Sequence, residues 1–147
     1  MAIGIGFKVR GFKLNTGLII SRKDRATQRV LSRFGSFVRR AAKQSIRRSK
    51  KPSQPGKPPR SHTGFLKKLI IFNYDARRRA VVVGPIRLGN AKGIDVPRVL
   101  EEGGIGIIRR KGAKPFKVRI RPRPYMGPAL AKELPGLPAL WKNSVTR

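Results

Sequence analysis

The chain has no cysteine, one histidine and six acidic side chains in 147 residues. Without cysteine there is no disulfide framework, which excludes the small secreted scaffolds that depend on one. His62 has no cysteine or second histidine with which to share a metal ion. The acids are Asp24, Asp75, Asp95, Glu101, Glu102 and Glu133, too few for an acid-rich metal site. Glu101 and Glu102 are adjacent, so on a helix they point about 100° apart and make a poor acid–base pair. The Gly-rich stretches at 4–6 and 103–106 lack the spacing, and the helix opening on Lys-Ser/Thr, of a phosphate-cradling loop. Catalysis has almost nothing to work with, so the expectation is a protein that is not an enzyme and takes no cofactor. Long apolar runs are also missing. Those at 69–72 and 80–86 fall far short of the roughly 20 residues of a spanning helix. Residues 1–8 have no basic segment ahead of an apolar run and do not read as a signal peptide. A protein made in a cytoplasm, without membrane contact, is expected.

Positive charge is plentiful instead. There are 36 Lys and Arg, a formal net charge of +30, or about one uncompensated charge per five residues. Self-repulsion at this density opposes compaction. Six acids cannot pair with most of it, so most basic groups face water or a polyanion. Residues 22–60 hold fourteen of the basic side chains and one acid, Asp24. The excess is therefore spread through the chain and is densest in that segment.

Residues 3–9 alternate, with Ile3, Ile5, Phe7 and Val9 on one side, and read as a half-buried strand. Asn15-Thr16-Gly17 is a turn signal. Ser21 followed by Asp24 reads as a helix N-terminus of capping-box type. From there Ala26, Val30, Phe34, Phe37/Val38, Ala41 and Ile46 recur at three- and four-residue steps, one apolar stripe on a helix of about 25 residues. Gly35 sits within it, at a cost of about 1 kcal/mol against Ala, and marks a weak spot or a close approach. The prolines of segment 49–62 impose an extended loop. Thr63 caps a short helical turn. Two β-rich runs, 69–74 and 80–84, form a hairpin across 75–79. Asp95 and Pro97 open a short helix that stops at Gly103-Gly104. Residues 105–110 and 116–121 form a second hairpin. Its last strand sets Phe116, Val118 and Ile120 on one face and Lys117, Arg119 and Arg121 on the other. Pro128 opens a C-terminal helix that Pro135 and Pro138 break or kink.

Four landmarks follow in order. A helix ends at Ala41-Ala42-Lys43. Pro55-Gly56-Lys57-Pro58-Pro59 leads to Thr63-Gly64-Phe65-Leu66-Lys67-Lys68. Val81-Val82-Val83-Gly84-Pro85 comes next. Leu100-Glu101-Glu102-Gly103-Gly104 then precedes Arg123-Pro124-Tyr125-Met126-Gly127-Pro128-Ala129-Leu130. Over residues 24–145 this arrangement resembles the neck, or tail-completion, proteins of tailed bacteriophages, the small head–tail joining family also called virion morphogenesis proteins. The resemblance implies a non-enzymatic virion part at the head–tail junction. It also implies a ring of identical subunits whose partners are connector or stopper proteins and tail-tube or tail-terminator proteins, with DNA in the neck channel a further candidate.

The expected fold class is α+β: one long basic amphipathic helix packed on a small antiparallel sheet (two hairpins plus the N-terminal strand), with a short C-terminal helix. Residues 1–147 form a single domain, with 1–20 available as an extended arm. Contact with a polyanion or an acidic partner falls to Arg29, Arg33, Arg39, Arg40, Lys43, Arg47, Arg48, Lys117, Arg119 and Arg121. Assembly contacts fall to Pro55, Gly56, Pro58 and Pro59 of the loop, and to Tyr125 and Met126 as apolar anchors. Packing within the domain is an equal reading of these last six. The alternative function is a ribosomal-type or other nucleic-acid-binding basic protein.

Overall fold

The computed structural model describes residues 16–86, 95–108, 112 and 114–144. The expected strand at 3–9 lies outside them. The described chain is α+β, with a long helix α1 (Thr16–Ser45), about 45 Å at 1.5 Å per residue. Its stripe is the expected one: Ala26, Val30, Phe34, Val38, Ala41 and Ala42 are buried at near-helical spacing, and Ile46 is buried just past the end. Phe37 is only half-buried and lies off the stripe.

Helix α1 starts earlier than the capping signal predicts. Thr16 and Gly17 are helical rather than a turn, and the last five residues of the expected 1–20 arm belong to the helix. Ser21 caps nothing. Its hydroxyl donates to the Leu18 carbonyl at 3.0 Å, the back-bonding of a serine inside a helix. Asp24 faces sideways instead, with its Oδ1 3.2 Å from Arg79 Nη2. No proline interrupts 16–25, so a local cap-like pattern did not stop the helix.

Two residues past α1, β1 (Arg47–Arg48) pairs in parallel with β2 (Arg60–Ser61), closing the Pro-rich loop between them. Gly64 in the left-handed region leads into α2 (Phe65–Leu69), and the Thr63 hydroxyl accepts from the Phe65 amide at 3.3 Å. Strands β3 (Ile70–Asp75) and β4 (Ala80–Pro85) form the first hairpin, in register Ile70↔Pro85 to Asp75↔Ala80. Asp75 Oδ1 fixes its turn by accepting from the Arg77 and Arg78 amides. Helix α3 (Val96–Glu102) leads into β5 (Gly104–Ile108), which pairs antiparallel with β6 (Phe116–Ile120). The two hairpins are separate two-stranded ladders rather than neighbours in one sheet. Helix α4 (Met126–Glu133), a 3-10 turn (Leu134–Gly136) and α5 (Leu137–Trp141) follow. Pro135 and Pro138 stand at the start of the last two, breaking the C-terminal helix as their geometry requires.

The core lies where α1 crosses the first hairpin and α4. Phe34, Val38, Ala41, Ala42, Ile46, Leu66, Ile70, Tyr125 and Ala129 form it, with Val81, Val83, Leu100, Met126, Leu137 and Leu140 packed around. Gly35 is the close approach. A Cβ there would sit 2.5 Å from Val81 Cγ2 and 3.2 Å from Phe72 Cδ2.

Candidate functional site

Helix α4 opens on Tyr125, which cannot cap it with its side chain. The first four backbone N–H groups of a helix have no partner inside it. Here the fourth position is Pro128, which has no N–H, so three donors remain: Tyr125, Met126 and Gly127. Glu101 accepts from all three. Its Oε2 lies 2.8 Å from the Tyr125 amide and 3.1 Å from that of Met126, and its Oε1 lies 2.8 Å from that of Gly127. A carboxylate at a helix N-terminus also meets the positive end of the helix dipole.

Several local features aim Glu101 there. Asp95 stands at the N-cap of α3 with no side-chain cap bond, and Pro97 is buried in the first turn. Gly103, at φ 81°, ends the helix, and a Cβ there would meet Ile120 O and Pro122 Cδ at 3.1 Å. The Arg123 amide donates to the Leu100 carbonyl at 2.7 Å, a second clasp beside the first. Two of the sequence landmarks, 100–104 and 123–130, are thus one structural unit. Sequence reasoning missed this role of Glu101. The available signal was a helix start with proline at its third residue and no Ser, Thr, Asp or Asn before it, which calls for an acceptor from elsewhere.

The six expected assembly residues divide between packing within the domain and exposure. Tyr125 is 1% exposed and anchors its own core, not a neighbour. Its phenol is held protonated well above the usual tyrosine range, first by burial and then by the Glu101 and Asp95 carboxylates. Met126 is half-buried against the same core. The Pro-rich loop is extended as expected, but it is bound to its own chain. The Gly56 amide donates to the Pro122 carbonyl at 2.9 Å, and Arg123 Nε to the Ser53 carbonyl at 3.2 Å. Pro59 is buried and Pro58 half-buried, which leaves Pro55 and Gly56 exposed at the tip.

The expected contact cations divide by environment. Arg39 is half-buried, and its Nε donates to the Ile70 carbonyl at 3.0 Å, fastening α1 to β3. Lys43 is half-buried too. Desolvation, then the nearby Arg39 and Lys67 charges, lower its pKa. Arg33 and Arg40 lie over the Phe37 ring, 5.7 and 5.9 Å from its centroid. Arg29, Arg47 and Arg48 are exposed, as are Lys117, Arg119 and Arg121, the basic strand face read from the sequence. On the opposite face Val118 and Ile120 are half-buried, but Phe116 is 42% exposed. These cations are carried by three elements, Arg29 by α1, Arg47 and Arg48 by β1, and Lys117 and Arg119 by β6 with Arg121 just past its end.

Among the described residues no group of three His, Cys, Asp or Glu could hold a metal ion, and no helix is long and apolar enough to cross a membrane. No family model, curated protein or solved structure matches the chain.

Proposed function

We propose that the chain is a structural subunit of a tailed-phage virion, a neck or tail-completion protein that joins the head connector to the tail as a ring of identical copies. The observation that supports this reading most is the Glu101 clasp. The resemblance rests on the order of short motifs, and the last two of them meet through three hydrogen bonds to one carboxylate. A motif pair with a joint structural purpose is better grounds than two short matches taken singly. The partners in this reading are connector or stopper proteins on one side and tail-tube or tail-terminator proteins on the other, with the subunit resident at the head–tail junction. A ring multiplies a charge of +30 per copy, so such an assembly needs acidic neighbours or DNA.

The test is a nonsense mutation in the gene within a producing phage. The expected outcome is DNA-filled heads and separate tails in the lysate, rejoined when purified protein is added. Normal virions from the mutant would overturn the reading. Charge density favours a second reading, a ribosomal-type nucleic-acid-binding protein. Its signature would be cosedimentation with ribosomes and absence from virions.

A further inference from the structure

A cavity of about 660 Å³ lies at the base of the Pro-rich loop. Four cations line it: Arg47, Lys51, Lys57 and Arg60. No carboxylate does. All six acidic side chains are described, and those in ion pairs hold Arg78, Arg79 and Arg98 instead.

Two further observations point to an anion as the ligand of this cleft. Arg47 and Arg60 are direct partners across the parallel bridge, so their side chains leave the same face of neighbouring strands, about 4.8 Å apart at the backbone. Like charges placed opposite each other in this way destabilise a ladder unless something lies between them. Ser53, which also lines the cleft, is 8% exposed, and its hydroxyl has no hydrogen-bond partner.

We propose that this cleft is a binding site for the phosphodiester backbone of a nucleic acid. Arg47 and Arg60 grip phosphate through their planar forks, Lys51 and Lys57 supply point charges, and the Ser53 hydroxyl donates to a phosphate oxygen. Size argues against a lone phosphate ion, because the cavity is large enough for a nucleotide unit. Lining argues against an acidic protein. Protein interfaces are anchored by buried aromatic and apolar groups, and this cleft has no aromatic residue. Nucleic-acid interfaces are polar and strongly positive, like this one. With no stacking platform and no side chain fitted to a base edge, the contact is independent of sequence. The proposal does not depend on the virion reading and holds whether or not the protein joins heads to tails.

The test measures binding of the full chain to a fluorescent mixed-sequence single-stranded DNA by anisotropy across a salt series. Three variants are compared: Arg47→Ala with Arg60→Ala, the charge-matched control Arg77→Ala with Lys132→Ala at exposed positions outside the cleft, and the neutral Ser53→Ala. Each phosphate contact is worth about fourfold at physiological salt, so the cleft pair weakens binding about fifteenfold and flattens the log–log salt slope by about 1.4. The control pair changes affinity less than about threefold. Ser53→Ala weakens binding about fivefold with the slope unchanged. Circular dichroism confirms that each variant is folded. Equal losses for the cleft and control pairs would mean diffuse charge and would overturn the site. An equal, cleft-dependent loss for polyglutamate would overturn the choice of nucleic acid.

Discussion

Removing the Glu101 carboxylate should cost this protein a large share of its stability. The carboxylate holds three backbone donors at 2.8, 3.1 and 2.8 Å, and without it none of the three has a partner inside α4. A single hydrogen bond to a charged group is worth about 1.5–3 kcal/mol, but three bonds to one group are not additive. Loss of a helix cap costs typically about 1 kcal/mol, and a charge at a partly buried helix terminus adds up to about 2. Water reaches the exposed Gly127 amide but not the backbone beside the buried Tyr125. Together these place Glu101→Ala at a loss of about 2–4 kcal/mol. Glu101→Gln separates hydrogen bonding from charge. Its one carbonyl oxygen can stand in for Oε2, which serves two donors, while its amide faces the Gly127 N–H. The loss should be about half as large. Urea unfolding at neutral pH measures both variants, with the midpoint falling in the order wild type, Gln, Ala at constant slope. Glu102→Ala is the control, because its carboxylate meets the exposed Arg98 guanidinium at the surface and the midpoint should barely move. An Ala variant within about 0.5 kcal/mol of wild type would refute the capping argument.

Two further perturbations probe the helix that organises the fold. Gly35→Ala gains about 1 kcal/mol of helix propensity but drives a methyl into Val81 and Phe72, which costs about 1–3 kcal/mol. Chemical unfolding should show a net loss of about 1 kcal/mol, recovered in the double variant with Val81→Ala; a Gly35→Ala protein more stable than wild type would remove the close approach as an explanation. Lys43→Met should raise the melting temperature at pH 7. Folding depresses the Lys43 pKa below its usual 10.5, so the unfolded chain binds the proton more tightly and stability from this group rises with pH between the folded and unfolded values. The advantage of Lys43→Met should therefore shrink as the pH climbs towards 10.5 in parallel melts, and a constant difference would contradict the sign.

What was legible in the sequence was whatever repeats locally. The stripe from Ala26 to Ala42 follows the helical period, and the hairpin at 70–85 follows from two β-rich runs around a turn that Asp75 nucleates, so both were found close to their true limits. The start of α1 was misplaced because Ser21 and Asp24 satisfy a capping pattern without using it. Caps are decided by which backbone groups need a partner, and no donor was unpaired there once the helix extended to Thr16. Arg39 looked like one more solvent-facing cation. Its long side chain reaches the Ile70 carbonyl, a contact 31 residues away that no periodicity contains. Tyr125 looked like an anchor for a neighbour because an aromatic after Arg-Pro suits either purpose. Only the arrival of α1 beneath it decides for the core.

The distribution of the acids sharpens what the excess positive charge means. Glu101 is committed to three amides, Asp75 to its own turn and Arg78, Asp24 to Arg79 and Glu102 to Arg98. Carboxylates that bind backbone amides or exposed arginines do not neutralise the basic groups crowded elsewhere. The fold is left with like charges side by side, Lys43 with Arg39 and Lys67, and Arg47 with Arg60. Their repulsion is a standing cost to the free chain, and an outside anion relieves it. Any ligand bound by the folded state alone stabilises that state by RT ln(1 + [L]/Kd), which grows with the logarithm of its free concentration once that exceeds Kd. A polyanion seated at Arg47 and Arg60 would therefore act as both partner and stabiliser. The +30 is concentrated in effect at those places where folding itself has forced cations together, and the paired arginines of the cleft are a stronger guide to the partner than any lone exposed cation.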